Sequence, residues 1–125
     1  MTQKSAIVLF AHGARDANWA DPFCKIQNMV RKKKPSVPVE LAFLELMQPS
    51  LDEAVAGLAS RGIENISVIP LFMAQGGHLK EDLPLKLAEI RQRHPAVSFR
   101  ISPPIGEVQA VLSIIADWIC AEHGK

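Results

Sequence analysis

The feature that most constrains this chain is an alternation. Short, nearly unbroken apolar runs take turns with segments whose apolar residues recur every three or four positions. Ser5 to Phe10 (SAIVLF), Val39 to Leu46 (VELAFLEL) and Ile66 to Leu71 (ISVIPL) are expected as strands buried on both faces. Val97 to Ile101 (VSFRI) alternates and reads as a shorter strand exposed on one side. Pro70 costs a ladder bond, so the third strand is expected to fray there. Between the runs lie four helical stretches. Trp19, Phe23, Ile26 and Val30, widened by Met29, mark the first. Ser50 with Glu53 forms a capping box for the second, whose buried face is Leu51, Val55 and Leu58 and whose stop is Gly62. Leu83, Leu87 and Ile90, closed by His94-Pro95, mark the third. Val108, Val111, Leu112, Ile115 and Ile119 follow Pro103-Pro104 as the fourth. The order β-α-β-α-β-α-β-α implies an α/β fold: a four-stranded parallel sheet between helical layers, three-layer αβα, joined by right-handed crossovers. At 125 residues, nearly half of them hydrophobic, one domain over 1–125 is expected.

Charge narrows the function classes. Lys plus Arg number 14 against 13 for Asp plus Glu. With so small a net charge no global field recruits nucleic acid or an anionic membrane, and electrostatic recognition must be local. The basic run Arg31-Lys32-Lys33-Lys34 before Pro35 fits a helix end, where cations meet the negative pole of the dipole. Cys24 and Cys120 are far apart and in no CxxC spacing, which argues against a disulfide framework or structural zinc. No apolar run approaches the roughly 20 residues of a membrane span, and no signal-peptide layout is present, so a cytoplasmic setting is expected.

In parallel α/β sheets, ligands bind beyond the carboxyl ends of the strands, near the point where strand order reverses. His12 lies just past the first strand, Glu45 near the end of the second, and His78 after the third, on a turn containing Gly76 and Gly77. Each has an ordinary role when taken alone: a hydrogen bond within a βα turn, a solvent-facing edge carboxylate, a helix cap. Their coincidence at one edge favours a shared site. Two imidazoles and a carboxylate suit a first-row divalent metal with open coordination positions, or proton transfer near neutral pH. If strands one and three are neighbours, His12 and His78 flank the crevice; the spacing alone does not decide that order. His94 and His123 sit at helix ends and read as surface residues.

Three dispersed motifs, HGARD after strand one, FLELMQPSL through strand two and PLFMAQGGHLKEDLP after strand three, resemble the sirohydrochlorin cobaltochelatases of the short, single-domain CbiX type, class II chelatases. The resemblance spans nearly the whole chain. It implies one half of a two-lobed chelatase fold, a homodimer holding the tetrapyrrole sirohydrochlorin in its cleft, and insertion of a divalent metal on the way to cobalamin. Cobalt (Co2+) is the metal implied; relatives use nickel (Ni2+) or iron (Fe2+). No organic cofactor, nucleic acid or membrane enters.

By the same resemblance His12 and His78 match the metal-binding histidines and Glu45 the acidic residue that joins them, as ligand or base. Arg15 and Lys80, adjacent to the motif histidines, are candidates to bind the carboxylates of the ring, unless they are ordinary surface charges. Gly76 and Gly77 would let the turn take unusual backbone angles and approach a flat ligand. Leu71, Phe72 and Met73 either pack on the macrocycle or belong to the core. The family often has serine where Ala14 stands, so a hydrogen bond from that hydroxyl is absent here. A carrier that binds metal or tetrapyrrole without turnover needs the same ligands and remains the alternative. Phosphoryl transfer through His12 is disfavoured by Ala11, where histidine phosphatases have arginine.

Overall fold

The computed structural model describes residues 4–125, His78 by its backbone alone. Four parallel strands form one sheet in the order β2-β1-β3-β4. They are β1 (Ser5–Ala11), β2 (Val39–Phe43), β3 (Asn65–Pro70) and β4 (Ser98–Ile101). The helices are α1 (Asp21–Lys33), α2 (Leu51–Ser60), α3 (Gly77–Arg93) and α4 (Gln109–His123). The chain moves one way from β1 to β2 and then returns past β1 to β3, so α1 lies on one face and α2 with α3 on the other.

Side-chain alternation divides β1 between two cores. Ala6, Val8 and Phe10 point to the α2/α3 face and pack with Leu51, Val55, Leu58, Leu87 and Ile90. Leu9 and Ala11 point the other way, against Leu41, Phe43 and the flanking Trp19, Phe23 and Val30. Val8, Phe10, Val55 and Ile90 are wholly enclosed; burying a side chain of this kind contributes about 1.5–3 kcal/mol. The continuous apolar runs are explained by this two-sided burial.

Local signals place the ends. Ser50 Oγ accepts from the Glu53 amide at 3.1 Å while the Ser50 amide donates to Glu53 Oε1 at 2.9 Å, so the capping box is formed. Gly62, at φ +81°, reverses the chain after α2. The basic run does end α1, and Arg31 turns back to donate to the Val39 carbonyl at 2.9 Å.

Three boundaries differ from expectation. β2 stops at Phe43 rather than Leu46: residues 44–49 form a loop that turns at Leu46, φ 66°, and the Phe43 amide, on the outer edge of the sheet, donates to the Pro49 carbonyl at 2.9 Å. Pro70 is a buried last residue of β3 and not a frayed one, because its missing N–H faces the β4 side, where pairing has already ended at Val68–Ile101. α3 begins at Gly77, so His78 lies in the first helical turn and not in a flexible turn before it.

Candidate functional site

The order β2-β1-β3 puts the reversal of strand order at β1, whose carboxyl end lies between those of β2 and β3. β1 ends at Ala11 and His12 follows. The parallel pairing outlasts the strands: the Leu44 amide donates to the Ala11 carbonyl at 2.9 Å and the Glu45 amide to the His12 carbonyl at 3.1 Å. These two bonds set Glu45 beside His12. Their side chains meet, His12 Nε2 to Glu45 Oε1, at 3.4 Å, and each is more than half exposed, at 54% and 56%. A pair so open to water contributes about 1 kcal/mol or less to stability, so the fold has little use for it.

Gly13 makes the approach possible. Its φ is +95°, and a Cβ there would lie 1.9 Å from the Glu45 carbonyl oxygen. Only a residue without a side chain fits, on both counts. The opposite flank is Phe72, buried just beyond β3. Its ring meets the His12 ring edge to face at 6.1 Å and the Phe10 ring at 5.6 Å. His12 thus stands on a core aromatic, with its polar edge toward Glu45. Motif reading gave Gly13 no role and named Phe72 only within the trio Leu71, Phe72 and Met73, as macrocycle contact or core. The glycine directly after a strand-end histidine was the available signal for the first; nothing in an apolar run separates Phe72 from its neighbours.

His78 enters from the third strand. Gly76 is the N-cap of α3 and Gly77 its first residue, so the backbone of His78 leaves the carboxyl end of β3, next to that of β1. The condition that strands one and three be neighbours is met; the side chain of His78 lies outside the described residues. Gly76, at φ −68°, is ordinary extended backbone, and only Gly13 and Gly62 among the glycines have positive φ. The expectation of unusual angles at Gly76 and Gly77 is therefore corrected. What their missing side chains leave is open space, since a Cβ on either would touch nothing within 4 Å.

Arg15 and Lys80 are exposed and form no ion pair among the described residues. Of the apolar trio, Phe72 is core, Leu71 half-buried and Met73 exposed. Among the described residues no three His, Cys, Asp or Glu side chains gather as metal ligands; His12 and Glu45 make two. Beside them a cleft of about 310 Å³ runs between Leu44 and the Leu79, Leu83 and Lys86 flank of α3. It excludes His12 and Glu45, which face solvent at its side. The pair lies on an open surface rather than in an enclosed pocket.

A parallel α/β layer with an imidazole and a carboxylate paired at its switch point defines a class: small parallel-sheet proteins whose strand ends carry groups able to act as donors. Within that class the chain belongs to the CbiX family, whose model matches residues 6–121. It is 36% identical over 111 residues to the sirohydrochlorin cobaltochelatase of Sulfurisphaera tokodaii, covering 89% of this chain and 88% of that protein. The crystal structure of a putative cobalamin (vitamin B12) biosynthesis CbiX protein from Marinobacter aquaeolei superposes with a TM-score of 0.83 at 33% identity, covering 98% of this chain and 97% of that one. SirB from Bacillus subtilis, solved with Fe3+, gives 0.75 at 28% identity, and the match covers 89% of this chain but 44% of SirB.

Proposed function

We propose that this chain is a metal chelatase that inserts a divalent metal, cobalt, into sirohydrochlorin in cobalamin biosynthesis, acting in the cytoplasm as a homodimer of single-domain chains. The observation that carries the reading is the His12–Glu45 pair, held at the switch point by Gly13 and Phe72 with little value for stability. The cobaltochelatase relative that matches nearly end to end supplies the ring and the metal. Iron is the second metal to test, because SirB is seen with Fe3+.

Insertion exchanges two pyrrole N–H protons for one divalent cation, so the site must hold the metal loosely and accept protons. A neutral imidazole at His12 donates its Nε2 lone pair to the metal and leaves other positions open for the ring nitrogens. Glu45 supplies compensating charge and accepts the two N–H protons one at a time, releasing the first to solvent before the second is taken. His78, from the neighbouring strand end, is the second imidazole. Arg15 and Lys80, free of carboxylate partners among the described residues, answer the acidic side chains of the ring. Gly76 and Gly77 leave the approach to α3 open. A second copy would close the half-open edge.

The test is to mix the protein with excess sirohydrochlorin and Co2+, Fe2+ or Ni2+ and follow the visible absorption of the ring. Several metallated rings per chain are expected with cobalt. One ring per chain, without turnover, would make the protein a carrier. His12→Ala and His78→Ala should each slow insertion by about a hundredfold or more, since losing even a residue that only orients a ligand costs roughly ten- to a hundredfold; full rate in both would overturn the site.

A further inference from the structure

One leucine stands where neither backbone preference nor the core accounts for it. Leu46 follows Glu45 in the loop after β2, with φ 66°. The Met47 amide donates to the Glu45 carbonyl at 2.8 Å. Leu46 is therefore the middle residue of a γ-turn of the positive-φ kind, a rare and strained form. Such a position suits glycine or asparagine and is an outlier for a bulky side chain. Burial could hold a leucine there, yet this one is 61% exposed. An exposed leucine on relaxed backbone is ordinary surface; one kept out in strained backbone beside a candidate site points to a use.

The turn is enforced from both sides. Leu44 packs on the core under α2 and α3, and Met47 on the core under α1, so the residues flanking Glu45 and Leu46 are pinned to opposite faces of the sheet. The Glu45 amide is held by the His12 carbonyl, and the Glu45 carbonyl lies against Gly13. The bonds that set Glu45 beside His12 thus also present Leu46 outward. Across β1 a second apolar side chain is presented in the same way. Met73, 56% exposed, leaves the carboxyl end of β3. Gly106 holds its backbone: the Gly106 amide donates to the Phe72 carbonyl at 3.0 Å, and a Cβ on Gly106 would lie 1.6 Å from the Met73 carbonyl oxygen. Since β2 and β3 flank β1, the strand ends that carry Leu46 and Met73 are about 10 Å apart, with that of His12 between them.

We propose that Leu46 and Met73 are the two apolar rests that seat one face of a flat, polyanionic ring over His12 and Glu45, and that Leu46 is kept against its backbone preference for that contact. This rests on the chelatase reading above and assigns ring-seating residues within it. The class of occupant follows from what surrounds the pair. Exposed apolar side chains on both flanks suit a small anion poorly, the more so with the Glu45 carboxylate facing it. A ring with apolar faces covers both side chains at once, while its acidic perimeter meets the exposed Arg15 and Lys80. Methionine serves such a contact because its unbranched, polarizable side chain adapts to the surface it meets. Leucine adapts less, and here the turn places it.

The probe is metal-free sirohydrochlorin, titrated into the full-length chain and followed by the fluorescence of the ring, so that no turnover is needed. Leu46→Gly and Leu46→Asn both suit the turn. Each should weaken ring binding about tenfold, the scale of the apolar area a partly covered leucine gives up, whereas Leu46→Met should stay within about threefold of the parent. Met73→Ala should weaken it by a similar factor to Leu46→Gly, and the two together by about a hundredfold. Co2+ binding without the ring, measured by calorimetry, should be unchanged in the Leu46 variants, because leucine offers no donor atom. Their urea midpoints should equal or exceed the parent's, since glycine and asparagine relieve the turn. Ring affinity unaltered in Leu46→Gly and Leu46→Asn, or lost equally in Leu46→Met, would overturn the proposal. So would a lowered urea midpoint in both, which makes Leu46 a structural residue, or a changed sedimentation mass, which places it between copies. The two readings fail separately. A parent that inserts metal and variants that bind the ring as well as it does sink the seating and spare the chelatase. A parent that binds the ring through these side chains but metallates none of it does the reverse.

Discussion

His12 and Glu45 are arranged by backbone, not by their own attraction. The amide of Glu45 on the carbonyl of His12 sets the pair, and Gly13 permits it. Gly13→Ala combines positive φ with a Cβ 1.9 Å from the Glu45 carbonyl, so destabilisation on the order of 3 kcal/mol is expected. A urea titration showing the midpoint unchanged would refute that. Glu45→Gln keeps the shape and removes the proton acceptor. It should leave the urea midpoint within about 0.5 kcal/mol of the parent yet slow metal insertion by about a hundredfold. An equal loss of stability and rate would instead make Glu45 a structural residue. Both histidines and Glu45 were legible as candidates because the carboxyl side of each strand can be read from apolar runs, even where its last residue cannot. Gly13 was quoted within a motif but given no role, since the carbonyl it must admit comes from a loop distant in sequence.

At the scale of elements, local chemistry was readable wherever it is decided within a few residues. The Ser50–Glu53 box is a case: Ser50→Ala should cost about 1 kcal/mol in thermal or denaturant unfolding, with insertion unaffected. A negligible change would mean that α2 is held by its buried Leu51, Val55 and Leu58 alone. The end of β2 was not readable. VELAFLEL remains apolar past Phe43, and hydrophobicity does not say which residue last finds a ladder partner. The strand gives way to a loop that turns at Leu46 and brings the Pro49 carbonyl back onto the outward-facing Phe43 amide, a path set by residues beyond the apolar run. The start of α3 misleads for a related reason. Paired glycines look like a flexible turn, yet Gly76 serves as an N-cap with ordinary dihedrals and the helix already includes His78.

For the molecule as a whole, the reaction couples protons to metal, and the sign follows. Lower pH protonates imidazole, which then cannot ligate, and raises the concentration of the two protons that insertion releases. Insertion should therefore fall as pH is lowered from about 8 to about 5, the range that spans the ordinary titration of histidine. A flat profile, measured at saturating cobalt, would remove histidine ligation from the mechanism. No helix among the described residues is long and apolar enough to cross a membrane. The alternation of apolar runs and helical stripes sufficed for the α/β class, the parallel sheet and the carboxyl edge at which polar groups collect, because burial on two faces imprints itself on consecutive residues. The order β2-β1-β3-β4 and the meeting of His12 with Glu45 came only from the tertiary structure. Each depends on which distant segments become neighbours, and that is settled by ladder pairing and close packing between them, to which no single stretch of sequence contributes more than half.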